Sequence, residues 1–356
     1  MSHIDLMELV RDKIKDLKAY QVENPDECIK LHANENPYPP SPELLNKIFQ
    51  RLDELELNRY PDPDCRNLKK TIANRTGALT EQIIIGNGSD ELIQYLMQVL
   101  CDAEETIAFP DPTFAMYGIT AQCLGLSPVS FPLNDNWDFE ASSALKILAE
   151  HKARIVFISY PNNPTGNCFS EQEIQQVIEQ FEGIVVLDEA YHDFSGKTFL
   201  KQMEKHNNLV ILRSLSKIGL AGLRVGYGIF PVMLAEQVNK VRLPYNSNSI
   251  SQWVANELLN DFTPVQNQIH SIVEERDRLM DELSKLPGIT AYPSNSNFIL
   301  FRASKDGEKV FNNLKANGTL LRNLGSHPRL KNCLRVTIGT KQENDQFLSQ
   351  LRKAAS

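Results

Sequence analysis

Short apolar runs recurring between Gln82 and Phe230 constrain this chain more than any other feature. Gln82 to Ile85, Thr106 to Phe109, Ile155 to Ser159, Ile184 to Leu187, Val210 to Leu212 and Val225 to Phe230 are rich in β-branched or apolar residues. Runs without polar alternation belong to strands covered on both faces. Helical stretches between them, such as Asp90 to Leu100 and Glu171 to Phe181, read as crossovers, so the spacing predicts an α/β fold with a mainly parallel sheet sandwiched by helices. After Pro244 the pattern changes. A long helical region from Ser249 to Leu286, interrupted near Pro264, precedes strand-like Phe298 to Phe301, a helix near Glu308 to Asn317, strand-like Cys333 to Ile338 and a helix from Glu343. That pattern predicts a smaller α+β domain. At the other end, Ile4, Leu6, Leu9, Val10, Ile14 and Leu17 fall at helical intervals and predict a short amphipathic helix, followed by a polar arm to about Lys30. A helix near Glu43 to Leu55 follows a proline-rich passage. The expected division is an arm over 1–35, a large domain over 36–247 and a small domain over 248–356.

Composition narrows the function by exclusion. A formal charge of -8 argues against generic binding to nucleic acid or anionic membranes, both of which need a basic surface. Anionic ligands must then be held by a local cationic pocket. The charged start, from Asp5 to Lys18, lacks the apolar stretch of a signal peptide, and no apolar run reaches the length of a membrane span. Six cysteines without a C-x-x-C pair suggest reduced thiols and a cytoplasmic protein.

Ligands of open parallel sheets gather beyond the carboxyl ends of the strands, and there this chain places its unusual residues. Gly86-Asn87-Gly88-Ser89-Asp90-Glu91 joins a strand to a helix; glycines allow close approach and the first-turn amides attract phosphate. An ordinary turn capped by Ser89 or Asp90 explains the same letters. Pro161-Asn162-Asn163-Pro164 holds asparagines between two prolines, where the backbone is restricted and the side chains are aimed. Asp188 and Glu189 end an apolar strand, where a carboxylate needs a cation or several donors. A Walker B acid is one reading of them. It requires a Walker A loop, and the nearest candidate, Gly196-Lys197-Thr198, has Tyr191 where the first glycine belongs.

Lys217 follows the run Val210 to Leu212 and opens a glycine-containing stretch with no further charge until Arg224. An amine that loses hydration there favours its neutral form, which attacks carbonyls to make a Schiff base. Ser214, Ser216 and Arg224 around it supply two hydroxyls and a guanidinium, a phosphate cradle beside an amine. An imine-forming lysine, a phosphate cup, a carboxylate for a ring nitrogen and donors for a ring hydroxyl are together what pyridoxal 5'-phosphate needs.

With those segments in view, the chain resembles the fold-type I, class II pyridoxal-phosphate-dependent aminotransferases over nearly its whole length. Within them it is similar to the histidinol-phosphate aminotransferase family. The resemblance rests on Ala19-Tyr20-Gln21, Leu31 to Pro37, Arg59-Tyr60-Pro61-Asp62, the turn at 86–91, Asp111 to Phe114, the turn at 161–166, Asp188 to Tyr191, the lysine segment, Pro244-Tyr245-Asn246, Leu321-Arg322-Asn323 and Leu334 to Thr340. It implies that Lys217 bonds the cofactor aldehyde, that Asp188 keeps the ring nitrogen protonated, and that Asn163 and Tyr191 bind the ring 3-oxygen. Phe114 covers the ring face, where many members carry tyrosine, and His32 stands where many carry asparagine. Ser89, Asp90, Ser214, Ser216, Arg224 and a Tyr60 from the neighbouring subunit surround the phosphate, so a homodimer is implied. Tyr20, Asn163, Arg322 and Arg335 meet the substrate. A rim salt bridge competes with that role for both arginines, more strongly for Arg322. The implied reaction moves an amino group between L-histidinol phosphate and 2-oxoglutarate, giving imidazole acetol phosphate and L-glutamate in histidine biosynthesis. A threonine-phosphate decarboxylase and an aromatic amino acid aminotransferase are the alternatives on the same scaffold. A non-catalytic pyridoxal-phosphate-binding regulator would carry a DNA-binding domain ahead of the fold, for which the short arm leaves no expected room.

Overall fold

In a computed structural model, which describes residues 5–15, 17, 28–51 and 54–355, the apolar runs assemble into one seven-stranded sheet. Its strands are β1 (Ile83–Asn87), β2 (Thr106–Asp111), β3 (Ser127–Pro132), β4 (Ile155–Ser159), β5 (Ile184–Asp188), β6 (Leu209–Ser214) and β7 (Val225–Ile229). They lie side by side as β1-β7-β6-β5-β4-β2-β3. Pairing is parallel from β3 through β6, while β7 runs antiparallel to both of its neighbours. Continuous apolarity follows from the two covered faces: Val156, Ile158, Val185, Leu187, Leu209 and Ile211 enter one core, and Ile155, Phe157, Val186, Val210 and Leu212 enter the other. Strand β3 has no counterpart in the sequence reading. Ser127 and Ser130 are exposed and Pro128 and Val129 only half-buried, as expected for a sheet edge, so no continuous apolar run announces it.

The second sheet is antiparallel. Strands β8 (Ile289–Ala291), β9 (Phe298–Ala303), β10 (Arg322–Asn323) and β11 (Cys333–Thr337) lie in the order β10-β11-β9-β8. Helices Gly307–Ala316 and Lys341–Ala355 accompany it, and Ser249–Asn260 and Thr263–Ser284 are separated where Pro264 takes a first-turn position. Among the described residues no helix is long and apolar enough to cross a membrane.

At the start of the chain the expected single helix is two separate turns, a 3-10 turn at Leu6–Leu9 and a helical turn at Asp12–Lys15. Leu6 and Leu9 are exposed while Val10, Ile14 and Leu17 are half-buried, so only part of the apolar stripe finds a surface to bury against. Arg11 and Lys13 instead donate to the carbonyls of Cys123 and Gly125, at the C-terminal end of helix Met116–Leu124, where cations are favoured. Further on, Ile29–Lys30 pairs in parallel with Thr319–Leu320 as a separate two-stranded sheet, just before the chain enters the site.

Candidate active site

A cavity of about 250 Å³ opens at the carboxyl ends of the parallel strands, between the two sheets. Lys217, Asp188, Tyr191, Asn163, Phe114, Ser89, Asp90, Ser214, Ser216, Arg224, Arg322 and Arg335 all line it. The expected residues come together from eight stretches of chain: most follow a strand or begin a helix at the same edge of the large sheet, and Arg322 and Arg335 lie on strands of the small sheet.

Asp188 ends β5 and is buried on the cavity floor, while Glu189, one residue on, points away. Glu189 takes two hydrogen bonds from Arg213, at 2.9 and 3.1 Å, one from the Phe199 amide and others from Thr198. Its charge is matched inside the large domain. Asp188 accepts only from the Tyr117 hydroxyl (2.8 Å) and the Ala190 amide (3.2 Å) among the described residues. Burial pushes its carboxyl up to about 6, against the pull of the Tyr117 hydrogen bond. A carboxylate left this way at a cavity wall favours a cationic or N–H partner from the cavity side. The Gly196-Lys197-Thr198 segment is spent elsewhere: Lys197 pairs with Glu171 at 3.0 Å and Thr198 bonds Glu189, so nothing of a nucleotide loop remains.

The hydroxyl of Tyr191 accepts from Asn34 Nδ2 at 2.9 Å and from Asn163 Nδ2 at 3.4 Å. Asn34 is almost fully buried with φ of 56°, a left-handed conformation that asparagine tolerates better than most residues. Its backbone amide donates to Thr337 on β11, and its carbonyl accepts from Asn297, so the small sheet sets the position of a tyrosine that follows a strand of the large one. Lys217 lies in a 3-10 turn directly after β6, half-buried, with its amine 3.4 Å from the Ala33 carbonyl and 5.7 Å from the Tyr191 ring centre.

Beside Lys217, Ser89, Asp90, Ser214, Ser216 and Arg224 line one side of the cavity as a cup. Helix Ser89–Leu100 begins after Gly88, whose φ of 82° turns the chain; Ser89 is the first helical residue and no side chain caps the helix. The expected turn capped by Ser89 or Asp90 is therefore not what forms. Uncapped first-turn amides face the buried hydroxyls of Ser214 and Ser216 and the guanidinium of Arg224. Arg224 reaches Asp90 at 3.0 Å and the Ser216 hydroxyl at 3.4 Å from a left-handed backbone, φ 54°. Asn246 braces the cup from behind, donating to the Ile85 carbonyl and to Glu91.

Arg322 on β10 and Arg335 on β11 face each other directly across an antiparallel pair at the cavity entrance. Arg335 is 8% exposed and its fork donates to Asn163 Oδ1 (2.5 Å) and the His32 carbonyl (2.7 Å), which removes it from the rim. Tyr60 is expected at the neighbouring subunit's site rather than its own. Tyr60 is 79% exposed and stacks on Tyr245, ring centres 4.4 Å apart, away from its own chain's cavity. Tyr20 lies outside the described residues.

The sequence reading missed Tyr117 and Asn34. Tyr117 looks like one apolar position of an ordinary helix, and only its contact with Asp188 reveals a role. Asn34 carried a faint signal, an asparagine just ahead of the proline-rich passage, without a partner to give it meaning.

A family model described as "Aminotransferase class I and II" matches residues 26–351, and the chain belongs to that family. Within it, the chain falls among the histidinol-phosphate aminotransferases. It is 42% identical over 347 residues to histidinol-phosphate aminotransferase 2 of Nitrosococcus oceani, covering 96% of each chain. It is 37% identical to the histidinol-phosphate aminotransferase of Aquifex aeolicus, over 97% of this chain and 98% of that one. Among solved structures, the histidinol-phosphate aminotransferase of Clostridium acetobutylicum matches with a TM-score of 0.84 at 26% identity, over 92% of this chain and 99% of that one. The fold is shared with the Sinorhizobium meliloti enzyme, crystallised in complex with pyridoxal 5'-phosphate, with a TM-score of 0.87 at 23% identity over 97% of each chain.

Proposed function

We propose that this chain is a pyridoxal-phosphate-dependent aminotransferase that exchanges an amino group between L-histidinol phosphate and 2-oxoglutarate, in histidine biosynthesis. The observation that carries it is the placement of the Lys217 amine in one cavity with a buried Asp188 carboxylate, an anion cup and two opposed arginines. The donor set fits the cofactor part by part. The cup of Ser89, Asp90, Ser214, Ser216 and Arg224 suits a phosphate, with Asp90 contributing its first-turn amide while its carboxylate holds Arg224. Asp188 suits a protonated ring nitrogen, Tyr191 and Asn163 suit a ring oxygen, and Phe114 suits a ring face.

Pyridoxal 5'-phosphate, when bound, supplies an aldehyde that captures amines and a ring that accepts an electron pair. The chain's own residues do the rest. Lys217 Nζ would take the proton from the substrate Cα and deliver it to the carbon that carried the cofactor's aldehyde, which requires an amine free to move between two positions. Asp188, buried and anionic, holds the proton on the ring nitrogen. Tyr191, fixed by Asn34 and Asn163, keeps the ring oxygen from rotating. Arg335 receives the α-carboxylate of glutamate or the phosphate of the alternative donor bidentately, and Arg322 with Tyr20 adds contacts for the phosphate. Phe114 screens the ring from water.

The working unit is a cytoplasmic homodimer in which Tyr60 of one protomer completes the phosphate cup of the other. The exposed Tyr60–Tyr245 stack supports this, being a large aromatic surface outside its own cavity. A panel of L-histidinol phosphate, L-phenylalanine and threonine phosphate, offered at equal concentration with 2-oxoglutarate, tests the reading. L-Histidinol phosphate should give the highest kcat/KM. Release of carbon dioxide from threonine phosphate, or equal rates with phenylalanine, would overturn it.

A further inference from the structure

We propose that Tyr117 is a positioning residue for this site: its hydroxyl aims the Asp188 carboxylate at the cofactor's ring nitrogen, and its ring seats Phe114 against the cofactor face. The proposal rests on the pyridoxal-phosphate reading above. Tyr117 is in the first turn of helix Met116–Leu124 and is fully buried. Its hydroxyl lies 2.8 Å from Asp188 Oδ2. Burial, then the Asp188 charge, holds the phenol well above its usual range, so the proton stays on the tyrosine and the hydroxyl donates. Packing alone does not call for that oxygen. The ring is already held by stacking on Phe157, centres 5.0 Å apart at 15°, and a phenylalanine fills the same slot. A buried hydroxyl needs partners, and here they are the Ser159 hydroxyl and the carboxylate of Asp188, which lines the cavity.

Two donors from distant segments fix the carboxylate plane: Tyr117 on one oxygen and the Ala190 amide on the other. Each oxygen keeps a second acceptor direction for the ring nitrogen. The same tyrosine meets Phe114 edge to face, ring centres 5.5 Å apart at 87°. Phe114 has no hydroxyl of its own, so the polar contact and the aromatic cover are divided between two residues of one turn. A donor on the carboxylate stabilises its ionised form. Without it, Asp188 competes for the proton that the ring nitrogen must keep.

Tyr117→Phe tests this with readouts beyond turnover. In the full chain freed of cofactor, the Asp188 titration is read as the difference in pH–stability profile from an Asp188→Asn variant. Its midpoint should rise by about one pH unit on losing the donor. In the holoenzyme, the 15N shift of labelled cofactor should move toward the unprotonated ring, and kcat should fall about tenfold with KM within about twofold. Replacing Tyr117 by 3-fluorotyrosine, a stronger donor of nearly the same shape, should move the midpoint the other way, which covers the case in which Tyr117→Phe fails to fold. An unchanged midpoint and 15N shift in either variant overturns the proposal. Failure to bind pyridoxal phosphate overturns the function reading instead, and is told apart because the cofactor-free midpoint still reports whether Tyr117 governs Asp188.

Discussion

Arg322 and Arg335 are direct cross-strand partners in an antiparallel pair, two cations on one face of the small sheet at the mouth of the cavity. Directly opposed side chains have Cβ atoms ~5 Å apart, and like charges in that relation repel. An anion between them would turn the repulsion into attraction, which fits the proposed substrate site. Arg335→Ala is expected to reduce kcat/KM with both glutamate and histidinol phosphate by about 10²- to 10³-fold, the loss of a buried charge-assisted contact. Arg322→Ala should spare glutamate and weaken the phosphorylated donor. Steady-state kinetics with each donor decide it, and normal glutamate turnover in Arg335→Ala would contradict the assignment.

Lys217→Ala should abolish turnover, by about 10⁴-fold or more, because it removes both the covalent anchor and the proton carrier. Reduction of the native holoprotein with borohydride should leave the label on the peptide containing Lys217. Fixation on any other peptide would remove the basis of the site.

Asp188 gives a pH prediction for the protein without cofactor. Its folded-state pKa, about 6, stands above the ordinary value of 3.8, so the buried carboxyl favours folding while protonated. That contribution is present below the unfolded pKa and is lost as pH rises through the folded one. Asp188→Asn removes the loss. Between about pH 4 and about pH 6 the variant's stability advantage over the native apoprotein should therefore grow, to about 3 kcal/mol at most, and then stay level, while catalysis is lost. Parallel thermal-melting profiles across that range would contradict it.

Gly226 on β7 packs against the start of the phosphate helix so closely that an added Cβ falls 2.4 Å from the Ser89 nitrogen and 2.5 Å from the Gly88 carbonyl carbon. Both obstacles are backbone and neither can yield cheaply. Gly226→Ala is expected to destabilise the protein by about 1–3 kcal/mol and to weaken cofactor binding by displacing the cup. Urea denaturation and a cofactor titration measure the two effects.

If Tyr60 completes the neighbouring site, chains carrying Tyr60→Ala and chains carrying Lys217→Ala complement each other. Random mixing after dissociation should restore roughly a quarter of the sites. No recovery of activity would place Tyr60 outside the phosphate cup.

Most of the frame was legible because it is written locally. A continuous apolar run records a strand covered on both faces, and a glycine-rich turn or paired prolines after it record the strand's end; Lys217, Asp188 and Asn163 could be found from those signals. Strand β3 was not, since an edge strand needs no apolar continuity. The amphipathic start was misjudged because periodicity states which side of a helix is apolar and not whether anything lies beneath it.

By itself, then, the sequence determined which side chains stand at the ends of strands, since that depends on a few neighbouring residues. Tertiary structure alone decided which of them meet. Asn34 and Tyr191 are separated by 157 positions, Tyr117 and Asp188 by 71, and Asn34 and Thr337 by 303. Such contacts depend on strand order, on the reversed direction of β7 and on the seating of the small sheet over the large one, which are set by burial of both sheet faces together.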